Sequence, residues 1–478
     1  MKSTRALIAV LVALSAAGTV SAVGLRRRGM NAGLGPKTGL TEEQVDGIRS
    51  ILNRTATESW EKGAHAEALT EFMYPDLSPF AFPSSSHFAS PSPSANPFPA
   101  LVCNLAGNVL SAQPWGQWQL IQDGSSADPA SVGPAVLLAN WTMGEGAWAT
   151  IGGRNRSGTG GAAQAQVWAL LEKTPRASDG AISHRVDSVE LWSDFVYMAP
   201  PFFAYYGLLA NNDSLISLAH EQIRLYRANL QDPRTKLWRH IYVPGGSDSH
   251  SDPGLWATGN AWVAGGILRV LATIENSGDS SLTSQFSSAA SDLAAWAKEV
   301  VDAVWTMPRS GGLLHNYLNE SSTFAECSST ALMVANTYRL ALVSNLYSSL
   351  SSSAPAGTSL RDAESSYQAL TRNNQHISTN GTLAPVTDPM SFSSELAKGQ
   401  VSPEGEAFVL LMEAARRDYL ADGGQIDSSG GNPGKGSGGR GGSGGSGGSS
   451  GAGGRSASGP GLWAAMLVSL AVTIGATL

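Results

Sequence analysis

The chain has 478 residues, 14% of them charged, and a formal net charge of −7. Soluble chains average about 25% charged residues, so another solubilising group is needed, and the acidic balance without a basic, aromatic-laced stripe excludes nucleic acid as a partner. Two cysteines, Cys103 and Cys327, are too few for a disulfide scaffold and fall in no Cys-x-x-Cys or His-rich spacing. That argues against a zinc site and leaves one long-range bridge as an option in an oxidising compartment. No metal and no cofactor is expected.

At the start, Lys2 and Arg5 precede an apolar run over residues 6–13, and Val20 and Ala22 sit three and one positions before a cut after Ala22. This is the pattern of a secretory signal peptide over 1–22. In the N-terminal segment 23–40, Arg26, Arg27 and Arg28 are either a second processing site or a basic patch. Acceptor triplets at Asn53, Asn140, Asn155, Asn212, Asn319 and Asn380 would supply N-glycans as the solubilising group, provided each lies on the surface.

A single block, 41–425, reads as helical. Thr41-Glu42-Glu43-Gln44 has the capping-box form, and Val45, Ile48 and Leu52 follow at helical spacing. The segment 75–99, dense in Pro, Ser and Phe, reads as an irregular excursion, and the Gly-rich run 152–161 as a loop matching neither a dinucleotide nor a phosphate fingerprint. Consecutive prolines start a helix at Pro200, running to Leu209. Asp213 or Ser214 caps the next, with Leu215, Leu218 and Leu225 on its face. Further apolar stripes run through Val263, Ile267 and Val270, then Leu293, Trp296 and Val300, then Leu332, Ala335 and Leu340. Ser402 caps a last helix with Pro403 at its first position. Strand-type alternation is scarce, so the class is mainly α, and many helices joined by loops fit an (α/α)6 toroid, a six-hairpin barrel, better than a small bundle. Beyond it, a Gly/Ser-rich linker over 426–459 precedes an apolar tail over 460–478 that has the form of a glycosylphosphatidylinositol-anchor signal rather than a membrane span. A lipid anchor is then the only membrane contact, and the expected location is the cell surface.

Three junctions between loops and helices gather acidic, aromatic and His residues. In the first, Trp192, Asp194 and Tyr197 precede Pro200. A helix N-terminus would lower the carboxyl pKa of Asp194 while burial among aromatics would raise it, and the residue is either an acid or a cap. The second holds Trp238 and His240, where a lone His is as readily a structural hydrogen-bonder as a catalyst. In the third, Trp256 and Trp262 flank Asn260, with Gly259 freeing the backbone; these residues suit either a sugar platform or core packing around a capping amide.

Taken in order, Trp192-x-Asp194, Met198-x-x-Pro201-Phe202, Leu237-x-x-His240, Trp256-x-x-Gly259-Asn260-x-Trp262 and Glu326-Cys327-Ser328-Ser329-Thr330-Ala331 resemble glycoside hydrolase family 105, the unsaturated rhamnogalacturonyl hydrolases of the six-hairpin glycosidase superfamily, secreted fungal members especially. The resemblance covers residues 181–340 and the helix start at 402–406. It implies Asp194 as general acid and base, His240 as a catalytic residue that binds or polarises substrate, and Trp192, Tyr197, Trp238, Trp256, Asn260, Trp262 and Glu326 as substrate-binding residues. The implied partner is an oligosaccharide ending in an unsaturated uronyl residue, and the expected state is a monomer. Two departures stand out: Thr258 occupies a position where the family often has Arg, and the second aspartate expected near the N-terminus has only Asp123 and Asp128 as candidates. A helical-toroidal α-mannanase is the rival enzyme, weakened by the lack of an Asp-Asp pair, and an inactive wall-anchored carbohydrate-binding protein is the non-enzyme rival.

Overall fold

A computed structural model describes residues 39–81, 98–113, 116–143, 161–245 and 250–426. The signal peptide, the arginine cluster, Asn155, most of the two irregular segments, the linker and the tail lie outside the described residues.

Twelve helices of eight or more residues alternate in two populations among the described residues. They are α1 (Glu42–Thr55), α2 (Ser59–Met73), α3 (Ala100–Ala112), α4 (Gly133–Met143), α5 (Gly161–Trp168), α6 (Pro200–Leu209), α7 (Asp213–Leu230), α8 (Ala257–Glu275), α9 (Ser287–Trp305), α10 (Cys327–Leu346), α11 (Gly357–Thr371) and α12 (Pro403–Ala421). The long odd-numbered helices show one apolar stripe, as in α1, where Val45, Ile48, Ile51 and Leu52 turn inward while the remainder faces solvent. The long even-numbered ones are buried nearly all round, and along α10 even Asn336, Thr337 and Arg339 are covered. Helix α2 packs on α4, α4 on α6, α6 on α8, α8 on α10, α10 on α12 and α12 back on α2, so the inner ring closes. This is the expected (α/α)6 toroid.

Local chemistry explains the ends of these elements. Thr41 and Gln44 make the expected capping box, Ser402 caps α12 ahead of Pro403, and α6 begins at Pro200. Asn212, rather than Asp213 or Ser214, caps α7, because its side chain accepts from Ser214 N. Seven short strands occur among the described residues. The most consequential pair is β1 (Leu191–Trp192) and β2 (Ile241–Tyr242), antiparallel with Trp192 opposite Ile241.

The loops that enter the inner helices are tied to one another around the ring. Ser59 Oγ donates to Asp123, Ser126 N to the His184 carbonyl at 2.8 Å and Ser193 N to the His240 carbonyl at 2.8 Å. Ala257 N donates to the Asn316 carbonyl at 2.8 Å, Thr387 N to Glu326 Oε1 at 3.0 Å, and Trp60 Nε1 to Glu404 Oε2 at 2.8 Å. The last of these joins the final loop to the first.

Within the C-terminal halves of the inner helices lies a buried ion network. Arg269 of α8 meets Glu67 and Glu71 of α2 at 3.2 and 2.6 Å, and Arg339 of α10 meets Glu71 and Asp418 of α12 at 2.9 and 2.7 Å. Tyr197 covers the Arg269 guanidinium and Phe80 that of Arg339. Cys103 and Cys327 are both free and buried; the first lies 3.6 Å from Thr142 Oγ1 and the second 3.5 Å from His376 Nδ1, so the possible bridge is not made. Removing one partner of a buried pair strands the other charge. Arg339→Ala should therefore lower the unfolding free energy by about 3–5 kcal/mol, measured by chemical denaturation.

Candidate active site

The β1–β2 pairing brings the first two junctions together. It sets Asp194 and His240 at adjacent ends of two strands, and His240 Nε2 lies 3.6 Å from Asp194 Oδ2. Gly259 is needed here for close approach rather than for backbone freedom: a Cβ at this helical position would sit 2.3 Å from Ser193 Oγ. Gly266, two turns on, serves likewise, because its Cβ would strike the Val196 carbonyl at 2.1 Å. Helix α8 thus presses directly against the backbone that carries Asp194.

Asp194 stands before a single helical turn, Phe195–Met198, yet its side chain makes no capping bond. Instead Oδ2 accepts from Ser193 Oγ at 3.1 Å, and the side chain keeps 13% exposure at the ring mouth. Burial pushes this carboxyl above its ordinary value against the opposing pull of His240 and the Ser193 bond. Between the two influences weighed from sequence, desolvation wins.

His240 is fully buried. Its Nδ1 lies 2.9 Å from Asp252 Oδ2, which also accepts from the Tyr317 hydroxyl at 2.6 Å, while Gly254 N donates to Asp252 Oδ1 at 2.9 Å. Burial pulls the Asp252 carboxyl up, but these bonds from His240, Tyr317 and Gly254 outweigh it and leave the group lowered, hence ionised. An ionised Asp252 accepts from Nδ1–H and orients the ring so that Nε2 faces Asp194. Nε2 has no hydrogen-bond partner of its own.

Aromatic rings enclose the pair. Trp256 lies 4.4 Å from the His240 ring and Phe392 4.5 Å, centroid to centroid. Trp192 meets His240 edge-on at 5.7 Å and stacks on His184 at 4.9 Å. Phe392 belongs to β4 (Ser391–Glu395), which pairs with β3 (Thr387–Asp388), and its carbonyl accepts from Asn316 Nδ2 at 2.7 Å.

A second carboxyl, Asp128, stands on the neighbouring loop, 3.5 Å from His184 Nε2. Burial, then the charges of Asp123 and Asp194, push it well above its ordinary value. Burial likewise drives His184 down to about 3, with Arg185 and His240 adding to the effect. A third carboxyl, Glu404, is pushed up to about 8 by burial and by the charges of Glu61 and Asp194. The mouth therefore holds several carboxyl groups raised above their ordinary values beside the lowered imidazole of His184, an arrangement suited to donating a proton to an uncharged carbon or oxygen.

Of the residues expected to bind substrate, Trp192 and Trp256 join this cluster and five do not. Tyr197 packs on Trp262 at 4.2 Å and beneath Arg269, and Trp262 also meets Phe408 at 4.6 Å, so both belong to the core. Trp238 is completely buried. Asn260 brackets the Trp238 backbone, accepting from its N at 2.8 Å and donating to its carbonyl at 2.9 Å. Glu326 caps α10, accepting from Ser328 N and Ser329 N and from Thr387 N. Both side chains are fully buried and bonded within the protein, so neither faces a sugar. Of the two aspartates the sequence offers, Asp128 joins the site; Asp252, Phe392, Glu404 and Trp60 are not singled out there as site residues, and the signal that points to Glu404 is its place one residue after the helix-starting Pro403.

Raised carboxyls carry a stability cost with a definite sign. Glu404 and Glu406 both shift from 4.5 to about 8, so over that interval the folded state holds protons that the unfolded chain has released, and stability falls as pH rises. The unfolding free energy should decline between about pH 5 and pH 8, and Glu404→Gln should flatten the slope by about 1.4 kcal/mol per pH unit, measured by denaturation across buffers.

Comparison with known proteins agrees with this architecture. Residues 158–388 match Glycosyl Hydrolase Family 88. An unsaturated rhamnogalacturonyl hydrolase of Bacillus subtilis is 24% identical over 168 residues, which is 34% of this chain and 46% of that protein. The match thus spans less than half of that relative's length. Among solved structures, a possible family 105 member from Salmonella enterica superposes with a TM-score of 0.57 at 14% identity, covering 80% of this chain and 96% of that one. Another from Klebsiella pneumoniae gives 0.56 at 14% identity, covering 80% and 95%. A variant α-1,6-mannanase from Salegentibacter reaches 0.50 at 11% identity, covering 78% and 98%, so the toroid by itself does not separate the two enzyme readings. The chain thus has the (α/α)6 fold of these solved structures, and its residues 158–388 are similar to Glycosyl Hydrolase Family 88.

Proposed function

We propose that the protein is an extracellular hydrolase of oligosaccharides that end in a 4,5-unsaturated uronyl residue, with Asp194 as its acid. The observation that carries this reading is a desolvated, raised carboxyl at the ring mouth, 3.6 Å from an imidazole oriented by Asp252. In the reaction, the Asp194 proton passes to C4 of the double bond and positive charge develops at C5 and the ring oxygen. Water adds at C5 and gives its proton back to the Asp194 carboxylate. The hemiketal opens to a C5 ketone, and the hemiacetal this leaves at C1 collapses to an aldehyde and releases the next sugar as its alcohol. One acid serves both proton transfers, unlike the two opposed carboxyls of ordinary glycosidases.

His240 holds the carboxyl and the incoming water in line, and the half-buried faces of Trp192 and Trp60 offer stacking surfaces to the sugar rings. Thr258 replaces the arginine often found in relatives, and Arg185 is the cation that takes over the uronate carboxylate. Its guanidinium lies where a Cβ at Gly124 would be 2.6 Å away, and its charge acts on both Asp128 and His184. Secretion, N-glycans and a lipid anchor complete the proposal. The surface positions of Asn53, Asn212, Asn319 and Asn380 support the glycans, and the signal at each end of the sequence supports the location.

The test follows the ene absorbance of unsaturated uronyl disaccharides. Asp194→Asn should lower kcat by about 100- to 10,000-fold while leaving the unfolding midpoint near the parent's; equal activity would remove Asp194 from the role. Because the acid works protonated, kcat should be highest in acid and fall as pH rises through the raised Asp194 value. Arg185→Gln should raise KM for the uronyl substrate about tenfold or more at nearly constant kcat, the loss of one charge-assisted hydrogen bond.

A further inference from the structure

At the ring mouth, a single buried amide joins three pieces of chain that are far apart in sequence. Asn316 is fully buried. Its Oδ1 accepts from Trp256 Nε1 at 3.0 Å and from the Thr387 hydroxyl at 2.6 Å, and its Nδ2 donates to the Phe392 carbonyl at 2.7 Å. We propose that Asn316 is a positioning residue for the sugar site, clamping the β3–β4 hairpin so that Phe392 forms one wall of the pocket for the terminal uronyl ring. The proposal rests on the reading of the mouth as the hydrolytic site, and its test separates the two.

The rings around His240 define that wall. Phe392 stands edge-on to His240 at 89° and to Trp192 at 86°, with 5.8 Å between the centroids of the last two rings. Phe392 and Trp192 each keep part of their surface exposed, whereas His240 between them is covered. Two half-exposed rings meeting at a right angle make an apolar corner beside the Asp194–His240 pair. An unsaturated pyranose, flattened about its double bond, offers a C–H face to such a corner.

The hairpin needs an outside clamp to keep its ring there. Met390 is 79% exposed, and Ser391, Ser393, Ser394 and Glu395 face solvent. Its two strands pair with a register shift at Thr387 and Asp388, and a lone two-stranded hairpin is marginal in water. Glu326 holds β3 through Thr387 N, whereas the Asn316 amide holds β3 and β4 together. Only a group that both donates and accepts can make all three of its bonds. The next residue, Tyr317, donates to Asp252, which orients His240. Adjacent residues thus set the ring that meets the sugar and the ring that faces the acid.

The experiment uses the full chain and 4,5-unsaturated uronyl disaccharides, with turnover read as loss of ene absorbance and binding read by calorimetry in an Asp194→Asn background. Phe392→Ala should raise KM and weaken binding about threefold to tenfold at nearly constant kcat. Phe392→Tyr, which keeps the ring, should restore both. Asn316→Ala should raise KM in the same way, and its effect combined with Phe392→Ala should fall short of the product of the two, because the clamp then has no ring to hold. Should Asn316→Ala fail to fold, Thr387→Val removes one hairpin bond and spares that to Trp256; its smaller KM rise should vanish in the Phe392→Ala background. If the parent consumes the sugars while Phe392→Ala keeps its KM and affinity, or if the two substitutions multiply in full, the proposal is overturned and the hydrolase reading stands. If the parent binds the sugars without consuming them and Phe392→Ala weakens that binding, the wall stands and the hydrolase reading falls. A parent that neither binds nor consumes them overturns both.

Discussion

Everything at the mouth depends on one closed belt of hydrogen bonds between the loops that lead into the inner helices. Each loop fastens to the next, from Ser59 through His184, His240, Asn316 and Glu326 to Glu404, which returns to Trp60. Buried backbone groups must find partners, and here each finds one on the neighbouring loop. The geometry at the mouth therefore follows largely from satisfying backbone donors. The Ser193 to His240 link sets the distance between an acid and an imidazole, although neither side chain takes part in it.

The belt also crowds carboxyl groups. Asp128, Asp194 and Glu404 face one mouth, while Glu61 and Glu326 lie within reach of Glu404. Like charges held in a poorly solvated space cannot all ionise, so protons stay on at pH values where free carboxyls are bare. Asp252 escapes this rule because three donors surround it. The result is a division of labour among chemically identical groups: one carboxylate orients a ring and its neighbours keep protons available. The inner ion network solves the same difficulty differently, by pairing Glu71 with two arginines.

Much of this fold is legible in the sequence because outer helices present one stripe and their ends carry recognisable caps, as at Thr41 and Ser402. Asp194, His240, Trp192 and Trp256 are legible for a related reason, lying in short motifs at loop ends. What defeats reading by pattern is burial on all sides. Trp262 and Tyr197 sit in segments with no exposed face, so nothing in their spacing distinguishes a core ring from a sugar platform. Asp128, Asp252 and Phe392 reach the site from distant parts of the chain, on a short 3-10 helix, an isolated bridge and a five-residue strand that leave no periodic signature. Asn260 and Glu326 have the right chemistry to grip a hydroxyl, yet backbone groups claim it first.

The ion network has a consequence for how the protein is made. Glu71 waits for Arg339, 268 positions later in the chain, and its own carbonyl is met by Arg417, 346 positions on. A nascent chain emerging from the ribosome presents an acidic helix whose basic counterparts have not yet been translated. The network begun on α2 is completed only when α10 and α12 join the ring, so the last helix made closes the polar contacts of one of the first.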